Sequence, residues 1–259
     1  MKEFIRNALT KILNPIIIRL GYVHWSKATV EKDMYGKNSL LEVFFRNIMD
    51  MGFIPKHIVD VGANHGTWTR ETLKYFPDAY YTLVEPQEWL KPSLQDLLDA
   101  NPKITFNPFG AGAKSGSFMF TIVDRDDSCS FRYTEEEAKA EGFKQVEIPI
   151  VTLNEILERN ASLPFPDLVK IDAEGLDIEV LEGASDLMGT TEVFLVEAAI
   201  FNKEFENSLL NMVNYMDQKG YRLFELTDLN RPFQTNILWL VELAFIKKGG
   251  IIDSYHIKF

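Results

Sequence analysis

His57-Ile58-Val59-Asp60-Val61-Gly62-Ala63-Asn64-His65-Gly66-Thr67 decides how this chain is read. A short β-branched run stops at a glycine, and a helix-compatible segment begins at Thr67, the pattern of a buried strand, a tight turn and a helix. Glycine allows the turn to be sharp and the backbone to approach a ligand. The helix that follows offers unpaired N–H groups at its start.

The loop is not a dinucleotide fingerprint, which needs G-x-G-x-x-G. Asn64 stands where the second glycine belongs and Thr67 where the third belongs. Spacing of the form D-x-G-x-N-x-G suits a nucleoside with no pyrophosphate to cradle, such as S-adenosylmethionine. Asp60, Gly62, Ala63, Asn64 and Gly66 are the contacts expected of it, with Asp60 and the loop facing the amino-acid end. His65 is read as packing on the next helix rather than as a base.

Working outward, 80–84 reads as a second strand that ends at Glu85-Pro86. An acid there is positioned to accept hydrogen bonds from both ribose hydroxyls, as in dinucleotide folds. Strands are also expected at 104–106, 168–172, 193–197, 221–226 and 237–246, with helices at 67–76, 88–100, 178–188 and 205–219. Such alternation predicts βαβ units and a mostly parallel sheet. The final pair of strands is joined by a segment too short for a crossover helix, so it should be antiparallel. Residues 110–150 break the rhythm with short strands and a charged helical piece. They read as an insertion on the sheet rim, where Ser128 and Ser130 are candidate substrate contacts.

Lys170-Ile171-Asp172-Ala173-Glu174-Gly175 lies at the carboxyl end of the fourth parallel strand. Ligands of open α/β sheets sit outside that edge. Asp172 and Glu174 are therefore the catalytic candidates, and Asp172 also a cofactor contact. The pair has three uses open to it: steering a cationic sulfonium, taking a hydroxyl proton, or holding a divalent metal on oxygen ligands. The structural alternative for Glu174 is a cap or salt bridge at the next helix. Glu197, at the end of the fifth strand, is a third catalytic candidate, against a buried structural acid.

Composition sets the boundaries. Apolar residues make up 46% of the 259 and charged residues 25%, which excludes a disordered or collagen-like chain. Cys129 is the only cysteine, so no internal disulfide forms, and a reducing, cytoplasmic setting is the natural expectation. The net charge of −11 speaks against a nucleic-acid binder. It suits a small-molecule or glycan acceptor instead. Residues 1–27 run the other way, with five basic side chains against Glu3 alone. They are expected to hold an amphipathic helix near 3–20 that packs on the main domain. Peripheral contact of residues 1–25 with an anionic membrane surface is the sharper alternative. The expected division is a helical extension over 1–52 and a catalytic domain over 53–259.

Taken together, the motifs resemble the FkbM family of S-adenosylmethionine-dependent methyltransferases. The resemblance runs from about Ile58 to about Ile246. It is carried by the loop at 60–66, by Val84-Glu85-Pro86, by Ser128, by Val151-Thr152-Leu153-Asn154, and by 170–175 with Val180-Leu181-Glu182-Gly183-Ala184. His65, Asn154 and Ala173 depart from the family's usual residues. The resemblance implies a class I methyltransferase fold: a Rossmann-like α/β three-layer sandwich whose seven-stranded, mostly parallel sheet has an antiparallel last strand. It also implies O-methylation of sugar or polyketide hydroxyls by in-line displacement. Two rivals stand beside it, a nicotinamide-dependent sugar oxidoreductase and a catalytically inert methyltransferase-like binding module.

Overall fold

The computed structural model of the protein describes residues 39–123, 129, 131, 133–203 and 205–257. The expected helix at 3–20, its membrane-surface alternative, Ser128 and Ser130 lie outside these. Phe44–Phe259 form one compact unit.

Helix α1 (Leu40–Asp50) buries Phe44, Phe45 and Ile48. Ser39 and Glu42 cap its start reciprocally: the Ser39 hydroxyl accepts the Glu42 N–H, and the Glu42 carboxylate accepts the Ser39 N–H, both at 3.2 Å. Phe45 packs its ring against Trp68, Tyr75 and Phe76, with centroids 5.3–6.1 Å apart.

The first βαβ units follow the expected boundaries closely. Strand β1 (His57–Val61), helix α2 (Thr67–Leu73), strand β2 (Tyr80–Val84), helix α3 (Lys91–Ala100) and strand β3 (Ile104–Asn107) alternate in order, with a 3-10 turn at Glu88–Leu90 before α3. The chain then leaves the main sheet. Strands β4 (Gly110–Ala111), β5 (Gly116–Ile122) and β6 (Lys144–Val151) form a separate three-stranded sheet in the order β4-β6-β5. Helix α4 (Glu135–Glu141) sits between β5 and β6, opened by a capping box from Thr134 and Glu137 and closed by Gly142 in the left-handed region. The insertion expected on the rim is this small sheet. Its core is Phe120, Cys129 and Ile148.

Helix α5 (Leu153–Arg159) was not expected, although its start is written in the sequence as Thr152-x-x-Glu155. The Thr152 hydroxyl accepts the Glu155 N–H at 3.2 Å. Strand β7 (Leu168–Ile171) returns the chain to the main sheet. Helix α6 (Asp177–Glu182) is shorter than the expected 178–188, and the rest becomes a 3-10 turn at Ser185–Leu187. The break falls at Gly183, where a Cβ would strike the carbonyl oxygen of Gly112 in the turn between β4 and β5. Strand β8 (Val193–Ala199) precedes helix α7 (Leu209–Gln218). The expected start at 205 moves to Leu209 because Asn207 instead accepts the Ala199 N–H through its carbonyl, at 3.0 Å. Ser208 caps the helix. Strands β9 (Tyr221–Asn230) and β10 (Leu240–Lys247) end the fold, β9 longer than expected and β10 starting later.

The main sheet has seven strands in the order β3-β2-β1-β7-β8-β10-β9. The pairs from β3 through β8 are parallel, and β10 is antiparallel to both β8 and β9. This is the class I methyltransferase sheet, with helices on its faces and the last strand inserted against the rest. Its middle strands are buried end to end, as a parallel sheet covered on both faces requires. The chain walks outward from β1 to β3 and then jumps back to β7 on the other side of β1. The switch point therefore lies between β1 and β7, and the crevice of an open α/β sheet opens there.

Phe45 ties α1 to this unit through a fully buried aromatic cluster. Phe45→Ala is expected to cost about 3–5 kcal/mol, read as a lower urea midpoint at an unchanged slope.

Candidate active site

A cavity of about 380 Å³ opens outside the carboxyl ends of β1, β2, β7 and β8. One wall is the loop after β1 together with the turn after β2. Gly62 packs so tightly on β7 that a Cβ would run into the carbonyl oxygen of Asp172, and its φ is +74°. Gly66, also left-handed, would place a Cβ 2.6 Å from Leu94 of α3. Both glycines are thus demanded by the protein's own close approaches, which is a different reason from ligand access.

Glu85 closes this wall. One carboxylate oxygen accepts the Asn64 N–H at 2.8 Å and the other the Gln87 N–H at 2.9 Å. It therefore bridges the two turns while lining the cavity. Burial pushes its carboxyl upward, against the pull of those two N–H donors. The Gln87 side chain bonds the Glu85 carboxylate as well, and of that carboxylate's about four lone-pair sites at least one is left for a ligand hydroxyl. Gly62, Asn64 and Pro86 share the wall.

Asp60 and Ala63 lie beneath it instead. Asp60 is fully buried; the Thr69 hydroxyl donates to one of its oxygens, and Lys170 Nζ stands 3.5 Å from the other. Ala63 is also buried, its N–H on the Val84 carbonyl. His65 reaches Ser93 of α3 at 2.9 Å, as a packing residue would.

The floor is acidic. Asp172, Glu174 and Glu197 all line the cavity. Glu174 adopts φ +52° and Gly175 φ +91°, and a Cβ on Gly175 would lie 2.8 Å from the Phe205 ring. Glu174 does not cap α6, whose first residues have no side-chain cap. Asp177, the first residue of α6, instead ties the turn before the helix to the segment after β8: its carboxylate accepts the Ala173 N–H at 3.0 Å and an Asn207 amide N–H at 2.6 Å. Burial pushes the Asp177 carboxyl up to about 8. Burial, and then the neighbouring Asp172, Asp177 and Glu174 charges, hold Glu197 well above the ordinary carboxylate range. One Glu197 oxygen is buried without a hydrogen-bond partner.

The third side was not foreseen. Phe205 follows β8, and Asn230, Pro232, Phe233 and Trp239 come from the β9–β10 hairpin. Phe233 and Trp239 meet edge to face at 4.9 Å. The Trp239 carbonyl accepts the N–H groups of Ile200 and Phe201 at 3.0 and 3.3 Å, which ties the hairpin to the segment after β8. Lys170 and Asp177 were equally overlooked. A lysine inside the apolar run Leu168-Val169-Lys170-Ile171 was the available signal, because a buried charge demands partners.

The sequence matches the methyltransferase FkbM domain over residues 60–223. The chain belongs to the FkbM methyltransferase family. No curated protein matches it in sequence. Solved structures with a similar fold include an rRNA methylase from Streptococcus thermophilus, at 11% identity and TM-score 0.46, covering 82% of this chain and 98% of that one. Another is the precorrin-6y C5,15-methyltransferase of Geobacter metallireducens, at 12% identity and TM-score 0.44, covering 80% and 88%. A third is the O-methyltransferase NcsB1 of neocarzinostatin biosynthesis, in complex with S-adenosylmethionine, at 13% identity and TM-score 0.40, covering 74% of this chain and 49% of that one. This chain spans about half the length of NcsB1.

The residues present fit S-adenosylmethionine. A strand-end carboxylate faces the cavity for hydroxyls, a buried and unpartnered Glu197 oxygen lies on the acidic floor, and no lysine, arginine or histidine lines the cavity among the described residues. That donor set suits a cation and offers nothing to a pyrophosphate. Among the described residues, no group of three or more His, Cys, Asp or Glu side chains is arranged to hold a metal, and no helix is long and apolar enough to cross a membrane.

Asp177 gives this FkbM protein a pH signature. The folded chain keeps a proton on it between the ordinary value of 3.8 and about 8, while the unfolded chain has released it. The contribution to stability is complete below that window and is lost as pH rises through it. Wild type should therefore lose stability from pH 5 to pH 8 relative to Asp177→Asn, seen as converging or crossing melting temperatures. Parallel pH profiles would contradict the burial argument.

Proposed function

We infer that this enzyme uses S-adenosylmethionine to O-methylate a hydroxyl of a neutral, sugar-like acceptor. The observation that carries this reading is one continuous cavity with three chemically distinct sides: the Glu85 wall, the acidic floor and the aromatic rim. When bound, S-adenosylmethionine supplies a methyl group on a positively charged sulfur. Glu85, with Gly62, Asn64 and Pro86, holds the nucleoside end. Asp172 or Glu174 receives the one proton that the acceptor hydroxyl gives up as its oxygen gains the methyl carbon. Glu197, with one buried oxygen that has no partner and a carboxyl pushed upward by burial, faces the same acceptor space. The faces of Phe233 and Trp239 carry negative quadrupole charge, which suits the C–H face of a sugar ring and repels an anion. Asp60 acts from beneath the loop, through its partners.

Calorimetric titration tests the cofactor half. Glu85→Ala is expected to weaken S-adenosylmethionine binding about tenfold or more, the size of lost hydrogen bonds to a charged group. A nicotinamide dinucleotide should not bind. Unchanged affinity in the variant would overturn the assignment of this wall.

Methyl transfer from labelled cofactor tests the acceptor half. Neutral glycosides should be labelled in preference to their phosphorylated or carboxylated counterparts, with turnover surviving a chelator and falling in Asp172→Asn. Transfer to RNA or amines alone would defeat the O-methylation reading.

A further inference from the structure

The mouth of the cavity carries apolar side chains beyond those that the mechanism above uses. Ile200 and Phe201, just after β8, are 42% and 49% exposed, and Phe233 and Ile237, in the β9–β10 hairpin, are 50% and 39% exposed. Trp239 joins the two groups: its ring centroid lies 4.9 Å from that of Phe233 and 6.3 Å from that of Phe201. Phe233 and Trp239 line the cavity, whereas Ile200, Phe201 and Ile237 lie outside its lining. The patch thus begins inside the site and runs out onto the surface. Phe201 keeps its exposure although the Lys203 ammonium stands 5.3 Å from its ring centroid.

Backbone holds this patch in place. The Trp239 carbonyl accepts the N–H groups of Ile200, Phe201 and Asn202 at 3.0, 3.3 and 3.4 Å, which fixes the segment after β8 against the hairpin. A surface fixed in this way needs little ordering when a ligand arrives. Charge is also kept out of both segments: no charged residue occurs over 198–202 or 232–241, in a chain whose residues are 25% charged. Single exposed apolar side chains need no explanation, but a group of them at the mouth of a pocket marks a binding surface. The cavity, at about 380 Å³, is near the lower end of the roughly 300–1,000 Å³ of ligand sites. It has to take a nucleoside and the reacting end of the acceptor together, so the remainder of the acceptor leaves across this patch. A second copy of the chain fits less well. Taken at about 100 Å² apiece, four half-exposed apolar side chains offer about 400 Å², half of the roughly 800 Å² per partner that a stable interface buries.

We propose that Ile200, Phe201, Phe233 and Ile237 form a second acceptor subsite, which holds an apolar chain attached to the sugar-like head. The acceptor is then an amphiphile, a glycoside of an aliphatic alcohol or a molecule of the same chemistry, and not a free sugar. The inference rests on the reading of this cavity as a methyl-transfer site for a neutral, sugar-like hydroxyl. It adds a division of labour: Phe233 and Trp239 meet the head, and the outer side chains take the chain that trails from it. Burial of that chain supplies affinity at a distance from the reacting oxygen.

The test titrates methyl β-glucoside and octyl β-glucoside, the latter below its micelle concentration, into the full chain preloaded with S-adenosylhomocysteine. Calorimetry reads the two affinities. The octyl glycoside should bind at least about tenfold tighter, a factor that burial of about two of its methylene groups supplies. Phe201→Ser with Ile237→Ser should bring the octyl glycoside down to the affinity of the methyl one and leave S-adenosylmethionine binding unchanged, which also shows that the variant folds. Ile237→Ser alone, expected to lose part of the preference, serves if the double variant does not fold. Equal affinities of wild type for the two glycosides, or no binding of the octyl one, would overturn the inference. So would an octyl preference that survives the substitutions. A dimer in sedimentation that the variant abolishes would assign the patch to a second copy, and flotation with phosphatidylcholine vesicles that the variant abolishes would assign it to a bilayer; either overturns it. If wild type bound no S-adenosylmethionine, the reading of the cavity itself would fall instead.

Discussion

The carboxyl ends of β1 and β7 meet with no side chain between them. Gly62 lies on the Asp172 carbonyl, in a backbone conformation that L side chains rarely adopt, and the loop wall and the acidic floor of the cavity meet at that contact. It brings the cofactor loop and the acidic strand end within reach of one buried lysine. It also sets the height at which Glu85 bridges Asn64 and Gln87. A side chain at position 62 would separate the two strand ends, and the wall and floor of the cavity would no longer share an edge.

Much of this was legible beforehand, for identifiable reasons. The strand-turn-helix at 57–67 follows from the β-branched run, its glycines and the onset of helix, all local signals. The antiparallel close follows from the length of the β9–β10 connection. The acids at 85, 172, 174 and 197 sit at strand ends, and a parallel sheet brings strand ends together, so their convergence on one cavity could be anticipated without coordinates. What could not be read were relations across the sheet. Asp60 sits in the loop motif, yet strand alternation turns it inward onto Thr69 and Lys170. Gly183, just past the end of α6, packs on the carbonyl of Gly112, which lies in the turn between β4 and β5. The aromatic rim draws on the segment after β8 and a hairpin tip, and no spacing rule links them. Thr152-x-x-Glu155 was a local signal that went unused.

The acidic floor has a physical logic of its own. Carboxylates brought together out of water repel one another, and each is also penalised by burial. The chain answers with one ammonium, with hydrogen bonds to Asp177, and with protons retained on the most buried members. Glu242, half-buried on β10 and bonded by the Thr227 hydroxyl at 2.6 Å, is pushed up to about 7 by desolvation and belongs to the same field around Lys170. Such a field is costly for an empty fold and favourable for a cation, so part of the tension held in the resting site is released when positive charge arrives.

The β9–β10 hairpin, finally, lies at the edge of the sheet, far in sequence from the loop at 60–66. Its tip supplies Phe233 and Trp239 without taking part in the β1–β7 contact. Surface connections of this kind tolerate replacement far better than the elements that carry them. On the proposed reading, the choice of acceptor is written in a segment that can change independently of the Glu85 wall, which leaves one methyl-transfer chemistry free to be redirected by exchanging a single loop.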